Sequence, residues 1–174
     1  MEQLNWEDVV DALKSLLPDD AYALVVIVEE ELFGDGVEGQ LLGRAAGSDR
    51  VCVCSTASLR DGTDTVDTHM ELLHLLNTAV HEVLHIFSLD HCSFYLCTMN
   101  ANTSPMASED GDGDGQQLDS PVCLCPICLR KLQYDIGFDI SHRYKALHKF
   151  CERHKFIHQQ KWLRKMLQLM QVSS

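Results

Sequence analysis

Three histidines and one glutamate have the spacing of a metal site with an open position. His81 and His85 are four residues apart, and on an α-helix such residues lie one above the other with a rise of about 6 Å. Glu82 lies about 100° around the helix, within reach of a water at the ion. His91 can join only if the chain leaves the helix and turns back. Three nitrogens and a free fourth position are typical of a catalytic zinc, beside which a carboxylate can take a proton from water.

The residues after His91 extend this pattern and resemble those of the archaemetzincins, also called archaelysins. Cys92 follows His91 directly, and then come Cys97, Met99 and the pair Cys125 and Cys128. The resemblance covers about residues 80–133. It implies a zinc-dependent peptidase with a second, structural zinc, an aminopeptidase-like or narrow peptide cleavage, and a methionine packed under the catalytic metal.

The same resemblance implies the fold class. We expect an α/β (α+β), metzincin-like fold in which a small mixed twisted sheet packs on the active-site helix. A cysteine–zinc knuckle and a long C-terminal helix complete the expected architecture. Four thiolates from Cys92, Cys97, Cys125 and Cys128 would close a tetrahedral shell, which predicts a structural site. Free thiols or an oxidised pair are the alternative, and Cys123 could replace Cys125 as a ligand.

Ser88 departs from the family pattern, because the archaemetzincins have glycine at this position. That glycine lets the helix end in a sharp turn, and serine in a left-handed conformation costs on the order of 1 kcal/mol. Two outcomes follow: a strained turn of unchanged shape, or a reshaped turn that displaces His91. The second outcome gives the alternative function, a zinc-binding interaction protein that keeps the metal sites without turnover.

Length and composition predict one domain over residues 1–174. The sequence has no apolar run long enough to cross a membrane, and its acidic start differs from a signal peptide. We therefore expect no membrane partner. Eight cysteines in such a chain favour metal binding by reduced thiols, which predicts a cytoplasmic or nuclear location. The Gly-, Asp- and Ser-rich residues 104–120, which lengthen the usual family spacing, are predicted to form a mobile acidic loop.

Charge is distributed unevenly along the chain. Residues 1–129 hold four Lys or Arg and 23 Asp or Glu, a net of −19, whereas residues 130–174 hold ten against three, a net of +7. Because the acidic part would repel phosphates, we expect no nucleic-acid partner, and an adaptor that binds nucleic acid is the least favoured function. A basic helix lying across an acidic body is the favoured interpretation. The expected partner is a peptide or protein substrate, and the expected state is a monomer.

Apolar patterns predict the elements that position the site. A first helix, opened by Asn5 or Asp8, ends before Pro18. Strands are predicted over residues 21–28, 41–46 and 51–55, the first covered on both faces and the last carrying Cys52 and Cys54 as small core residues. By the resemblance, residues 41–44 form the edge strand that binds substrate. The active-site helix is capped by Asp67 or Thr68. Residues 141–171 are predicted to form one long helix, broken at most once.

Together these patterns predict a single zinc peptidase domain. Zn²⁺ held by His81, His85 and His91 polarises a peptide carbonyl and activates water. Glu82 acts as the general base and then delivers the proton to the leaving amine. We expect two zinc ions per chain and no other cofactor.

Overall fold

The computed structural model describes residues 3–34, 36, 41–57, 68–101 and 123–172, with only the backbone described at residues 68–70 and 172. The predicted mobile loop at residues 104–120 and the predicted cap Asp67 lie outside the described residues. The elements follow in the order β1 (Gln3–Asn5), α1 (Trp6–Leu13), β2 (Leu24–Val28), β3 (Glu31–Phe33), β4 (Gly43–Ala46), β5 (Val51–Ser55), α2 (Thr68–Ile86), α3 (Pro126–Ile136), α4 (Ile140–Arg153) and α5 (Ile157–Val172).

The strands form two small sheets. β1 pairs with β3 in parallel, and a second sheet has the order β2-β5-β4. In this second sheet β2 is parallel to β5, whereas β4 is antiparallel to it. The central strand β5 is buried along its whole length, and Cys52 and Cys54 have no exposed surface. The predicted small mixed sheet is confirmed, and so are the bounds of its central strand and the burial of its two cysteines.

The prediction for strand β2 was wrong in two respects. The strand begins at Leu24 instead of Ala21, and it is not covered on both faces. Val25 and Ile27 are 40% and 55% exposed. The physical reason is position, because β2 lies at the edge of its sheet and α2 packs on β5 and β4. A continuous apolar run therefore marks a strand here without marking a buried one.

The first helix begins where a side chain caps it. The Asn5 side-chain oxygen accepts a hydrogen bond of 2.9 Å from the Glu7 amide, so Asn5 rather than Asp8 opens α1. A short 3-10 turn over Lys14–Leu16 follows α1, and the chain leaves helical structure before Pro18. The predicted helix and its end are confirmed.

Helix α2 lies between the three-stranded sheet and the C-terminal half of the chain. One side of α2 packs on β4 and β5. Its other side joins a buried cluster with α3, α4 and α5, which includes Leu73, Leu84, Leu129, Tyr144 and Leu163. The basic C-terminal helices therefore pack on α2 through apolar side chains. Within the described ranges the one ion pair closer than 4.0 Å joins Lys14 and Asp11, so the helices are not tied by ion pairs to the acidic half there.

The long C-terminal helix is present and broken once. Helix α4 ends at Arg153, and Lys155 takes a left-handed conformation with φ of 59° before α5 begins. The amide of Phe156 donates to the Cys151 carbonyl at 2.9 Å, and Phe156 itself is buried. The two helices thus turn back on each other around a buried aromatic ring.

Helix α3 was not predicted, although the sequence holds its signals. Pro126 is in its first turn, the Cys125 sulfur accepts from the Cys128 amide, and Gly137 ends the helix with φ of 72°. Within the parts of the chain that the structure describes, no helix combines the length and apolar character needed to cross a bilayer.

Candidate metal centres

The side chains of the three histidines converge on one point. The Nε2 atoms of His81 and His85 lie 3.1 Å apart, and each lies 3.3 Å from the Nε2 atom of His91. A tetrahedral zinc with Zn–N bonds of about 2.0–2.1 Å places its nitrogen ligands roughly 3.3 Å apart. The histidine triad therefore fits one zinc ion, and three nitrogens leave the fourth tetrahedral position for water or substrate.

Backbone carbonyls orient two of these rings. The Nδ1–H group of His81 donates to the Thr98 carbonyl at 2.6 Å, and that of His85 donates to the Leu89 carbonyl at 2.7 Å. Each bond leaves the Nε2 lone pair free for a metal. Burial lowers the pKa of His81 and of His85, although the two carbonyls act in the opposite direction. Both rings are therefore biased towards the neutral form that binds metal.

The turn between His85 and His91 has the shape that the family glycine would allow. Ser88 is left-handed, with φ of 61°. Its amide donates to the His85 carbonyl at 2.9 Å, and the Leu89 amide donates to the Leu84 carbonyl at 3.1 Å, which is the hydrogen-bond pattern of a Schellman motif. Of the two outcomes expected from the sequence, the strained turn is found, and His91 is not displaced.

Glu82 is buried between the active-site helix and β4. It is 7% exposed, and a Cβ atom placed on Gly43 would lie 2.9 Å from the Glu82 Cγ atom. Burial raises the pKa of Glu82 to about 7, and the positive charge of Arg44 acts against this rise. A carboxyl group with such a pKa can both accept and donate a proton near neutral pH.

Four cysteines form a second cluster. The sulfur atoms of Cys92, Cys97, Cys125 and Cys128 all lie within 4.8 Å of one another, and all four residues are buried. The Cys92 and Cys125 sulfurs are 3.8 Å apart. A tetrahedral zinc with Zn–S bonds of about 2.3 Å sets the same separation, roughly 3.8 Å. The cluster fits one zinc with no position left for water. Cys123 lies outside it, so the geometry selects Cys125 and leaves Cys123 as a core residue.

Amide groups around the cluster act to favour thiolates, whereas burial raises the pKa of Cys97 and of Cys128. The Cys125 amide donates to the Cys97 sulfur at 3.3 Å, and the Cys128 amide donates to the Cys125 sulfur at 3.4 Å. Burial acts to raise the pKa of Cys92, but the amides of Phe94 and Tyr95 and the neighbouring thiols lower it to about 7. For Cys123, burial raises the pKa to about 12, which suits a neutral core thiol.

A turn at residues 97–100 links the two centres, and sequence reasoning did not find it. The Thr98 carbonyl binds His81, while the Thr98 amide and hydroxyl both donate to the Cys123 carbonyl. The Asn100 side chain accepts from the Cys97 amide at 2.8 Å and donates to the Cys92 carbonyl at 2.6 Å. Met99 is fully buried in this turn, and its carbonyl accepts from the Cys92 amide. An Asn three residues after a cysteine was the signal available in the sequence.

Comparison with known proteins supports one family. No protein-family model matches the chain. Archaemetzincin-2 of Macaca fascicularis and that of Homo sapiens are each 30% identical to it over 179 aligned positions, which cover 86% of this chain and 47% of the relative. Archaemetzincin-1 of Rattus norvegicus is 24% identical over 196 positions, covering 96% of this chain and 35% of the relative. The chain belongs to the archaemetzincin family. It spans about half the length of the archaemetzincin-2 relatives that it matches.

Solved structures agree with the archaemetzincin fold. The archaemetzincin of Methanopyrus kandleri superposes with a TM-score of 0.60 at 22% identity, covering 78% of this chain and 67% of that one. A zinc-dependent peptidase of Methanocorpusculum labreanum gives a TM-score of 0.55 at 18% identity, with 73% and 71% covered. The chain thus has the fold of the archaemetzincins. Its histidine triad is the site for a catalytic zinc, and its four-cysteine cluster is the site for a structural one.

Proposed function

We propose that this chain is a zinc-dependent peptidase. The observation that carries the proposal is the near-equal spacing of the three Nε2 atoms, 3.1–3.3 Å apart, in a group to which no fourth ligand residue belongs among the described residues. In this proposal His81, His85 and His91 hold the catalytic zinc. The structural zinc is held by Cys92, Cys97, Cys125 and Cys128, so the chain binds two zinc ions.

The proposed chemistry needs one proton carrier. Zinc at the triad would supply a Lewis acid for the peptide carbonyl and lower the pKa of a water towards neutrality. Glu82, with a pKa of about 7, would take a proton from a water in the site and pass it to the leaving amine. Thr98 and Leu89 keep the His81 and His85 rings in place through their carbonyls, so the geometry is built before substrate binds.

An edge strand beside the site favours an extended peptide as the substrate. Among the described residues β4 pairs only with β5, although the Leu41 amide, two residues before β4, donates to the Leu32 carbonyl, so the free edge starts at Gly43. A Cβ atom on Gly43 would touch Glu82, and one on Gly47 would lie 3.7 Å from the His85 carbonyl, so β4 runs along the active-site helix. We propose that a substrate binds to this free edge by strand addition. Removal of N-terminal residues, an aminopeptidase-like reaction, is one form of the proposed activity.

A peptide-library digest tests the proposal. Zinc-loaded wild-type protein is expected to cleave members of the library, and Glu82→Gln should reduce cleavage about 10²-fold or more while both zinc ions stay bound. Glu71→Gln, on the first turn of the same helix, is the matched control and should cleave as wild type does. Peptides with free and acetylated N-termini separate aminopeptidase-like from internal cleavage. Equal cleavage by the wild-type protein and Glu82→Gln would refute the proposal.

A zinc-binding interaction protein without turnover is the second candidate. Three consecutive apolar residues of the loop between Cys92 and Cys97 favour it, because Phe94 and Leu96 are 74% and 73% exposed and Tyr95 is exposed as well. The same digest separates the two functions, since this candidate predicts two bound zinc ions and no cleavage.

Thiol chemistry supports a proposal for location. All eight cysteines are free thiols, and all eight are buried. Reduced thiols that bind metal suit a reducing compartment, and we propose the cytoplasm or nucleus.

A further inference from the structure

Arg44 is an exposed cation at the free edge of β4. Its guanidinium lies 6.0 Å from the centre of the Trp6 ring, on which it stacks. It lies beside the site, because it directly follows Gly43, where a Cβ atom would lie 2.9 Å from the Glu82 Cγ atom. Within the described ranges no carboxylate lies within 4.0 Å of this guanidinium. The aromatic ring therefore orients the charge beside the site without neutralising it.

The strand register determines which residue of a substrate strand bound to β4 would lie across from Arg44. The Ser55 amide donates to the Leu42 carbonyl, and hydrogen-bonded pairs alternate along an antiparallel ladder. Arg44, opposite Val53, therefore directs its amide and carbonyl towards β5, whereas Gly43 and Ala45 direct theirs to the free edge. In an antiparallel substrate strand, the residue across from Arg44 occupies a non-hydrogen-bonded pair. Such pairs have Cα atoms about 4.5 Å apart and the closest side chains.

The two faces of β4 contact different parts of the molecule. Gly43 faces α2, since a Cβ atom there would touch Thr78 and Glu82. Arg44, the next residue, faces the opposite side of the sheet, where Trp6 lies. Neighbouring residues of a bound strand alternate in the same way. One residue would thus point to the metal side while the next meets Arg44.

The charges around Arg44 favour a ligand that carries a single negative charge. Residues 1–129 hold only four cations among 23 acidic residues. Lys14 is paired with Asp11 at 2.7 Å, and Arg50 stacks on Tyr22 at 6.0 Å. A body this acidic disfavours a polyanion but leaves a local attraction for a single carboxylate next to Arg44.

We infer that Arg44 is a specificity-determining residue that pairs with a carboxylate of the substrate at the position directly across from it on β4. This inference rests on the proposed peptidase function. The carboxylate comes from an Asp or Glu side chain or from the C-terminus of the peptide, and the test separates these two sources.

The test compares rates on matched peptides. One peptide that the wild type cleaves is made with Glu, Gln or Lys scanned through each position around the cleaved bond, and with a free or amidated C-terminus. At one position, or at the C-terminus, the wild type should prefer the carboxylate over its neutral analogue by about two- to fivefold in kcat/KM, as expected for an opposite-charge cross-strand pair. Arg44→Gln should remove the preference, and Arg44→Glu should favour Lys.

Two further variants serve as controls. Arg50→Gln removes a cation that lies at the same distance, 6.0 Å, from the centre of another ring, and it should keep the preference of the wild type. Arg44→Lys keeps the charge and should keep most of the preference, which separates charge from fold. Zinc content and thermal unfolding of each variant report its folding.

The outcomes distinguish the inference from the function on which it rests. An unchanged preference in Arg44→Gln, or an equal loss in Arg50→Gln, overturns the role of Arg44 and leaves the peptidase proposal intact. Slower cleavage of all peptides by the same factor also overturns it, because Arg44 would then act only through Glu82. If the wild type cleaves nothing, the peptidase proposal fails. Fluorescence anisotropy of peptide pools that differ only in Glu or Gln at each position, measured on the wild type and on Arg44→Gln, then decides whether Arg44 selects a bound carboxylate, and equal affinity of the wild type for the Glu and Gln pools overturns it.

Discussion

Ser88 carries backbone strain at the turn that brings His91 to the metal. Its φ of 61° is a conformation that serine adopts at a cost of about 1 kcal/mol. We predict that Ser88→Gly raises the free energy of unfolding by about 1 kcal/mol, because glycine adopts this conformation without strain. Urea unfolding of the zinc-loaded protein measures the change.

A second left-handed residue provides the control for Ser88. Lys155, with φ of 59°, ends α4 far along the chain from the metal ligands. Lys155→Gly should give a similar stabilisation without affecting zinc affinity. An unchanged stability of Ser88→Gly would mean that the turn stores no strain.

Asn100 is the side chain that ties the cysteine loop together. It accepts from the Cys97 amide and donates to the carbonyls of Cys92 and Tyr95. We predict that Asn100→Ala lowers the free energy of unfolding by about 2 kcal/mol, because it removes these bonds and leaves the Cys97 amide unpaired. Zinc should also bind more weakly at the cysteine cluster, as measured by competition with a chelator.

Asn5 is the matched control for Asn100. Its side chain caps α1 through the Glu7 amide, so Asn5→Ala should cost about 1 kcal/mol. Zinc affinity should not change in this variant. A similar loss of zinc affinity in both variants would show that general destabilisation, and not the Asn100 contacts, weakens the site.

At the residue scale, spacing was enough to predict the two groups of side chains that the structure brings together. Helical periodicity places His81 and His85 one turn apart on the same face, whatever the surrounding fold. Four cysteines, two of them in a Cys-x-x-Cys pair, predict a structural zinc site from residue type and spacing alone. The carbonyls of Thr98 and Leu89 could not be found in this way. Every residue has a carbonyl, so its use as a partner depends on the path of the backbone and leaves no signature in residue type.

At the element scale, the contact between β4 and α2 depends on the absence of a side chain at Gly43. A Cβ atom there would lie 2.9 Å from both Glu82 Cγ and Thr78 Cγ2, and 3.1 Å from the Val53 carbonyl. We predict that Gly43→Ala lowers the free energy of unfolding by about 1–3 kcal/mol, since overpacking forces the two elements apart. Peptide cleavage should fall about tenfold or more through displacement of Glu82.

Gly47 tests whether this effect is local. The nearest atom to a Cβ at Gly47 is the His85 carbonyl oxygen at 3.7 Å, an ordinary contact. Gly47→Ala should therefore leave cleavage near the wild-type rate. Equal losses in the two variants would contradict a specific role for the Gly43 contact.

Elements were predictable where one periodicity dominated. The apolar run at Val51–Ser55 and the apolar side of α2 gave strand and helix directly. The cover on β2 was not predictable, because burial of an apolar strand depends on which neighbour lies over it. The break between α4 and α5 has neither Gly nor Pro, and Lys155 supplies the left-handed turn instead.

At the scale of the whole molecule, the cysteine centre connects segments that are distant in sequence. Cys92 and Cys97 follow the turn between His85 and His91. Cys125 and Cys128 lie at the start of α3, which packs into the core. We predict that Cys125→Ser lowers zinc content from two ions to one per chain and destabilises the fold by on the order of 5 kcal/mol, because binding energy at a structural zinc is folding energy. Metal analysis and thermal unfolding measure both effects.

Cys123 is the natural control for Cys125. Both residues are 4% exposed, but the Cys123 sulfur lies outside the cluster. Cys123→Ser should retain two zinc ions and lose about 1–2 kcal/mol at most, the cost of placing a hydroxyl in an apolar site. Loss of one zinc from Cys123→Ser would reverse the assignment of the two residues.

The turn at residues 97–100 couples the conformation of the histidine triad to that of the cysteine cluster. His81 is oriented by the carbonyl of Thr98, and Thr98 is itself hydrogen-bonded to the carbonyl of Cys123, two residues before the cluster member Cys125. Without zinc at the cysteine cluster, the turn at residues 97–100 would lose its fixed conformation, and the orientation of His81 would be lost with it. In a cell that runs short of zinc, we expect such a chain to be degraded as a partly unfolded protein instead of accumulating in a folded, metal-free form.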